Sequence, residues 1–225
     1  MPVDETKAVI FDMDGVLIDS FRCHFESWRR VAAEHGRVYT ESQFVAGFGR
    51  TSREVIAEQW GGEPLSPDLI RQIDERKEAL FRELISQDFP AMDGAVELVA
   101  SLAGAGFRIA VGSSGPPPNV QLAVDRLGIR RFLAAIVTGG DVKRGKPDPQ
   151  VFTLAAERMR VAPCRCVVVE DAPVGIEAAK RGGMRSIGLA STGRTVEQLS
   201  AANLVVTSLK ELSPACFEEL LRKGS

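Results

Sequence analysis

Short apolar runs alternate along the chain with longer stretches in which apolar residues recur every three or four positions. The runs at Ala8–Phe11, Phe107–Gly112, Leu133–Gly139, Cys166–Glu170, Arg185–Ala190 and Asn203–Thr207 predict strands. Three of them are nearly continuous in apolar residues, as strands covered by helices on both faces are. The stretches Ala95–Ala105, Val120–Leu127, Pro149–Met159, Ala172–Arg181 and Val196–Ala201 predict helices, several closed by a glycine such as Gly104, Gly128 or Gly182. Strands alternating with helices predict an α/β fold with a doubly wound, parallel, Rossmann-like sheet.

One segment breaks the alternation. From Ser20 to Phe89 no strand pattern occurs, and "CHFESWRRVAAEHG", "SREVIAEQW" and "SPDLIRQIDERKEALFRELISQ" all carry helical periodicity. The expectation is an inserted all-α cap domain of residues 19–89, with residues 1–18 and 90–225 forming the core. The insertion would grow from a loop at the sheet's carboxyl edge, where open α/β sheets bind ligands. Its crossings would lie after Val16 and in "DFPAMDG" at Asp88–Gly94.

Composition narrows the setting. The 225 residues are 44% hydrophobic and 26% charged, ordinary for a globular protein with one large core or a core plus a small satellite. A formal net charge of −2 supplies no field that would recruit nucleic acid or an anionic membrane. No apolar stretch approaches a membrane span, and the apolar run in "MPVDETKAVIFDMDG" is too short for a signal peptide. Cys23, Cys164, Cys166 and Cys216 show no C-x-x-C spacing, and a chain of this size needs no disulfide staples. These features lead us to expect a cytoplasmic monomer that binds neither nucleic acid nor membrane.

The residues that bear chemistry fall at the carboxyl ends of four predicted strands. Asp12 and Asp14 close "VIFDMDG", Ser113 and Ser114 lie in "AVGSSG", Lys146 lies in "KRGKPDP", and Glu170 and Asp171 lie in "VVVEDAPVGI". Each has a plain reading by itself. Asp and Gly form turns, Asp171 is a good helix N-cap, and Lys146 competes with Lys143 and Arg144 as a solvated loop charge. A parallel sheet would nevertheless crowd all four ends along one edge. Acids gathered there repel and need a cation, and Mg²⁺ suits a cluster of oxygen ligands. An ionised Asp12 could attack phosphorus, and Asp14 could protonate the leaving oxygen and later deprotonate water. Lys146, with the hydroxyl and backbone N–H of Ser113, would hold the phosphoryl charge, and Gly15 would let the chain turn close to the substrate.

The order D-x-D-G-V, then Ser, then Lys-Pro, then Glu-Asp resembles the haloacid dehalogenase superfamily, and a helical cap after the first motif resembles its phosphatase branch. An aspartate at Asp14 marks phosphoryl transfer rather than carbon–halogen hydrolysis. The resemblance implies Asp12 as nucleophile and Asp14 as acid/base. It implies Mg²⁺ held by Asp12, the Asp14 carbonyl and Asp171, with Glu170 assisting directly or through water. Within the superfamily the chain is most similar to the β-phosphoglucomutase-like group, on His24 and Trp28 in "CHFESW", Arg53 in "GRTSRE" at Gly49–Glu54, and Lys77 in "ERKEAL". That likeness implies substrate contacts from His24, Arg53 and Lys77. The competing reading makes His24 structural, Arg53 a surface charge, Trp28 cap core and Lys77 part of a solvated helix face.

One departure bears on function. "SGPPPN" after Ser113 replaces the polar, basic-containing run of the mutases, so a lysine is absent where a bisphosphate would need one. The expected function is therefore a Mg²⁺-dependent phosphatase of a small phosphorylated metabolite, a sugar phosphate. The alternative is a β-phosphoglucomutase-type mutase using the same aspartyl-phosphate. A phospho-aspartate signalling receiver also combines acids, a hydroxyl and a lysine, but Asp14 and a cap of this size argue against it.

Overall fold

The computed structural model describes residues 6–48, 50–60 and 65–223. Six parallel strands form one sheet: β1 (Ala8–Phe11), β2 (Arg108–Gly112), β3 (Leu133–Val137), β4 (Cys166–Glu170), β5 (Arg185–Leu189) and β6 (Leu204–Val206), in the order β3-β2-β1-β4-β5-β6. Alternation along β1 shows why both faces are covered. Val9 and Phe11 belong to one hydrophobic cluster and Ala8 and Ile10 to another, all fully buried. Helices α5 (Ala95–Gly104), α6 (Pro117–Leu127) and α9 (Pro214–Arg222) contribute Leu98, Val124 and Phe217 to the first cluster. Helices α7 (Gln150–Met159) and α8 (Pro173–Arg181) contribute Phe152 and Ala179 to the second.

Between β1 and β2 the chain forms α1 (Phe21–Glu34), α2 (Glu41–Gly47), α3 (Ser52–Gln59) and α4 (Pro67–Gln87). A third cluster, with Trp28, Val31, Phe44, Ile56 and Ile73 on these helices and Tyr39 and Trp60 beside them, lies wholly within this stretch of chain. The last turns of α4 lie outside it: Phe81 and Ile85 pack into the sheet's cluster. The two crossings run side by side, with the Asp19 N–H bonded to the Pro90 carbonyl at 2.8 Å and the Met92 N–H to the Leu17 carbonyl at 3.0 Å. Among the described residues no helix is long and apolar enough to cross a membrane.

Three local expectations need correction. Val196–Ala201 is not an α-helix but a single 3₁₀ turn at Glu197–Leu199, too short to present more than Leu199 to the core. Helix α6 begins at Pro117, ahead of Val120, because prolines at the first helical positions forgo N–H groups that have no partner there anyway. Helices α2 and α9 add to the predicted set. In α2, Thr40 and Gln43 cap each other's backbone N–H groups, and in α9, Phe217 and Leu221 are the buried pair one turn apart.

Candidate active site

The strand order reverses between β1 and β4, which opens a crevice at their carboxyl ends. Asp12 is the first residue after β1, anchored by its N–H on the Val169 carbonyl at 2.9 Å, and Glu170 is the last of β4. With Asp171 they form a buried triad whose carboxylate oxygens lie within 4.8 Å of one another. Lys146 answers two of them: its Nζ donates to Asp12 Oδ1 at 2.8 Å and to Glu170 Oε1 at 2.5 Å. Burial pushes the Asp12 carboxyl up to about 7; Lys146 offsets this only in part, and Glu170 and Asp14 add to it. Asp171 is raised well above its ordinary range by burial and by Glu170 and Asp12. Lys146, opposed by burial, is raised because the two carboxylates outweigh that cost.

The triad fits a divalent cation with oxygen ligands. Glu170 has both oxygens engaged, the second accepting the Ala172 N–H at 2.6 Å. Asp171 Oδ2, by contrast, is buried and accepts no hydrogen bond among the described residues. An orphaned buried carboxylate oxygen is costly unless a cation meets it. Gly15 makes the room: its φ is +78° and a Cβ there would sit 2.2 Å from that oxygen. Gly15 is buried against Asp171 and does not line the cleft, so its place is behind an acid and not against a substrate.

Asp14 follows Asp12 by two residues and lines the same cleft. Ser20 Oγ donates to Asp14 Oδ1 at 2.7 Å, and His24 Nε2 lies 3.1 Å from the same oxygen. Burial pushes the Asp14 carboxyl up, but His24 and Ser20 outweigh it and hold the carboxyl below its ordinary range. The chain of contacts continues into the insertion. His24 Nδ1 is 2.9 Å from Lys77 Nζ, its ring stacks on Phe81 at 3.8 Å, and Lys77 Nζ donates to Glu78 Oε1 at 2.9 Å. Glu78 also accepts from Ser52 Oγ at 2.5 Å and from Asn119 Nδ2, on α6 of the core, at 2.6 Å. Arg82 closes the cluster on Asn119 Oδ1 at 2.8 Å. Lys77, 2% exposed, is therefore no solvated charge, despite its polar sequence neighbours.

These groups open on a cleft of about 420 Å³ between the sheet edge and the inserted helices. Ser113 and Ser114 line it together with Asp12, Asp14, His24, Arg53, Lys77, Lys146, Glu170 and Asp171. The expected role of the Ser113 N–H does not hold, because that group donates to the Val137 carbonyl at 3.0 Å as a rung of the sheet. The Ser113 hydroxyl accepts the Gly115 N–H at 3.0 Å and keeps its own proton for a ligand. Arg53 lines the cleft but is paired with Asp74, and Trp28 both lines the cleft and packs in the insertion's core. Gly49, at the head of the expected selectivity loop, lies outside the described residues. Sequence reading missed Ser20, Asp74, Glu78, Asn119 and Arg194. Arg194 donates to the Phe48 carbonyl at 3.1 Å, lies over the Phe48 ring and, with Lys146, moderates Asp171. Only Ser20 had a local signal, six residues after Asp14 at the start of a helix.

A parallel sheet with a switch-point acid triad and one lysine defines a class, and comparison with known proteins agrees. Residues 6–183 match the haloacid dehalogenase-like hydrolase family model. The chain is 34% identical over 209 residues to validoxylamine A 7'-phosphate phosphatase of Streptomyces hygroscopicus subsp. limoneus, covering 92% of this chain and 95% of that one. It is 35% identical over 184 residues to phosphorylated carbohydrates phosphatase of Thermotoga maritima, covering 80% and 83%. The crystal structure of β-phosphoglucomutase from Clostridium difficile superposes with a TM-score of 0.87 at 26% identity, covering 97% and 98%. The chain belongs to the haloacid dehalogenase-like hydrolase family and is an enzyme of phosphoryl transfer.

Proposed function

We propose that this chain is a magnesium-dependent phosphatase of small sugar phosphates, with residues 19–89 acting as a cap over the site. The observation that carries the reading is the buried Asp12–Glu170–Asp171 triad, left one-sidedly negative around Lys146 and sharing its cleft with Asp14. Asp12 and Asp171, with the Asp14 carbonyl, would hold the metal. The engaged oxygens of Glu170 support an indirect place for it, orienting Lys146 and the start of α8. Bound magnesium would neutralise these carboxylates and polarise the phosphoryl oxygens.

Asp12 attacks phosphorus, a bond from its carboxylate oxygen to phosphorus forms, and the ester P–O bond breaks. The leaving oxygen takes its proton from Asp14. His24 and Ser20 orient that carboxyl, and an incoming phosphate dianion raises its affinity for the proton. Lys146 and the Ser113 hydroxyl hold charge on the transferring oxygens. Asp14 then takes a proton from the water that attacks the phosphoaspartate, which frees inorganic phosphate and regenerates Asp12. The sugar class rests on the likeness to the two phosphatases, and four unbridged cysteines support a cytoplasmic setting.

Phosphatase is favoured over mutase because Pro116, Pro117 and Pro118 stand where a mutase presents basic side chains, and two of the three line the cleft. A phosphorus NMR time course with Mg²⁺ and β-glucose 1-phosphate, primed with a trace of the 1,6-bisphosphate, tests this. Inorganic phosphate is the expected product, and accumulation of glucose 6-phosphate without it would make the chain a mutase.

A further inference from the structure

The wall of the cleft opposite the acid triad carries three cations, and each already has a carboxylate. Arg53 Nε donates to Asp74 Oδ2 at 2.8 Å, Arg50 to Glu58 at 2.5 Å, and Lys77 to Glu78 at 2.9 Å. In the first pair both partners line the cleft, but they differ in exposure: the Arg53 side chain is 64% exposed and that of Asp74 16%. Asp74 is thus the fixed partner and Arg53 the one held to it. A second phosphate arriving at Arg53 would have to displace a carboxylate seated in the wall and then lie beside it in a poorly screened cleft. A hydroxyl meets no such opposition. Asp74 Oδ1 accepts no hydrogen bond among the described residues, so it is available to a hydroxyl donor. Trp28, Phe48 and Val55 are apolar side chains lining the same cleft, suited to the carbon face of a sugar.

We propose that Asp74 is a specificity-determining residue, which occupies Arg53 so that the cleft takes phosphate monoesters with an uncharged, hydroxylated far end and rejects bisphosphates. The proposal deepens the phosphatase reading and rests on it. It also gives Arg53 a place distinct from the simple anion grip expected from sequence. The sole cleft-lining cation with no ion pair among the described residues, Lys143, is exposed on the core side and so is the competing candidate for a second phosphate.

Binding to the full chain carrying Asp12→Asn, with Mg²⁺, separates this from turnover. Calorimetric titration should show glucose 6-phosphate binding at least tenfold more tightly than glucose 1,6-bisphosphate. Adding Asp74→Ala should raise bisphosphate affinity about tenfold and lower monophosphate affinity, and adding Arg53→Ala should remove that gain. Equal affinities before Asp74 is changed would overturn the proposal. So would a gain that survives Arg53→Ala but disappears with Lys143→Ala. Asp74→Asn serves as the isosteric check, with the same direction expected. The underlying phosphatase reading fails on a different result, the absence of phosphate release from p-nitrophenyl phosphate by the unaltered protein with Mg²⁺.

Discussion

Two surfaces face each other across the cleft, and both are built on buried or half-buried carboxylates, yet they are balanced in opposite ways. On the sheet side Lys146 pairs with two of three clustered acids, and an oxygen of the third, Asp171, accepts no hydrogen bond among the described residues. On the helical side each cleft-lining acid among the described residues has a cation of its own: Glu78 has Lys77, with Ser52 and Asn119 besides, and Asp74 has Arg53. The contrast separates two tasks. A surface that is unfavourable until a cation and a phosphate arrive gains most at the moment of reaction, when charge is being transferred. A surface whose charges are already paired can discriminate by shape and hydrogen bonding without pulling on charge.

Replacing the nucleophile breaks the comparison most sharply. Asp12→Asn should lower turnover by at least about 10⁴-fold, since it removes the attacking oxygen's charge while keeping the side chain's shape. Its thermal midpoint without metal should be no lower than that of the unaltered protein, because one of three repelling carboxylates is gone. A phosphate-release assay and a melting curve on the same preparation check both halves, and retained turnover would remove Asp12 from the chemistry.

Chelation is expected to follow in size. Treatment with EDTA should lower turnover about 10³-fold, from the several kcal/mol a metal contributes to phosphoryl charge. Adding Mg²⁺ back should raise the melting midpoint in the unaltered protein and much less in Asp171→Asn, since a ligand that binds only the folded state stabilises it. A midpoint indifferent to Mg²⁺ would mean that the acid triad holds no metal.

The satisfied wall should respond in stability before chemistry. Glu78→Gln leaves the Lys77 ammonium buried without its anion and should cost about 3 kcal/mol in a denaturant titration. The pH dependence follows from the same contact. Burial pushes the Glu78 carboxyl up, but Lys77, His24 and Ser52 outweigh it and hold it below its ordinary value of 4.5. Its folded state therefore binds protons less readily than the unfolded chain. The stability it contributes is present above about 4.5 and is lost as pH falls below that value. Acidification from pH 6 to 3 should consequently destabilise Glu78→Gln less steeply than the unaltered protein, and equal slopes would contradict the assignment.

The smallest effect is expected at the junction of the two surfaces. Asn119→Ala removes the α6 partner of Glu78 and Arg82 and should cost about 1 kcal/mol, measured as a shift in denaturant midpoint with an unchanged slope. Because Glu78 keeps Lys77 and Ser52, a loss as large as that of Glu78→Gln would show that the wall depends on the core for its stability.

Local sequence determined the sheet and its acid edge. β1 and β4 are legible because each is a wholly apolar run stopping at an acid, and a parallel sheet necessarily aligns the residues that follow such runs. Asp12, Asp14, Glu170 and Asp171 could be gathered on that basis alone, whereas Lys146, well beyond the end of β3, needs Pro147 and the family resemblance to stand out from Lys143 and Arg144. The opposite wall could not. Lys77 sits among Glu75, Arg76 and Glu78, and nothing local says that the first turns of its helix face water while Lys77 does not. Its contact with His24 spans 53 residues, that of Glu78 with Asn119 spans 41, and that of Arg53 with Asp74 spans 21. Hydrophobic periodicity encodes which face of a helix is buried, but not which charged groups on neighbouring helices that burial brings within hydrogen-bond reach. The same limit left Ser113's N–H assigned to a phosphate when the sheet's register had already given it to Val137. Chemistry at a strand end is a property of one segment, whereas charge cancellation across a wall exists only once several segments have packed.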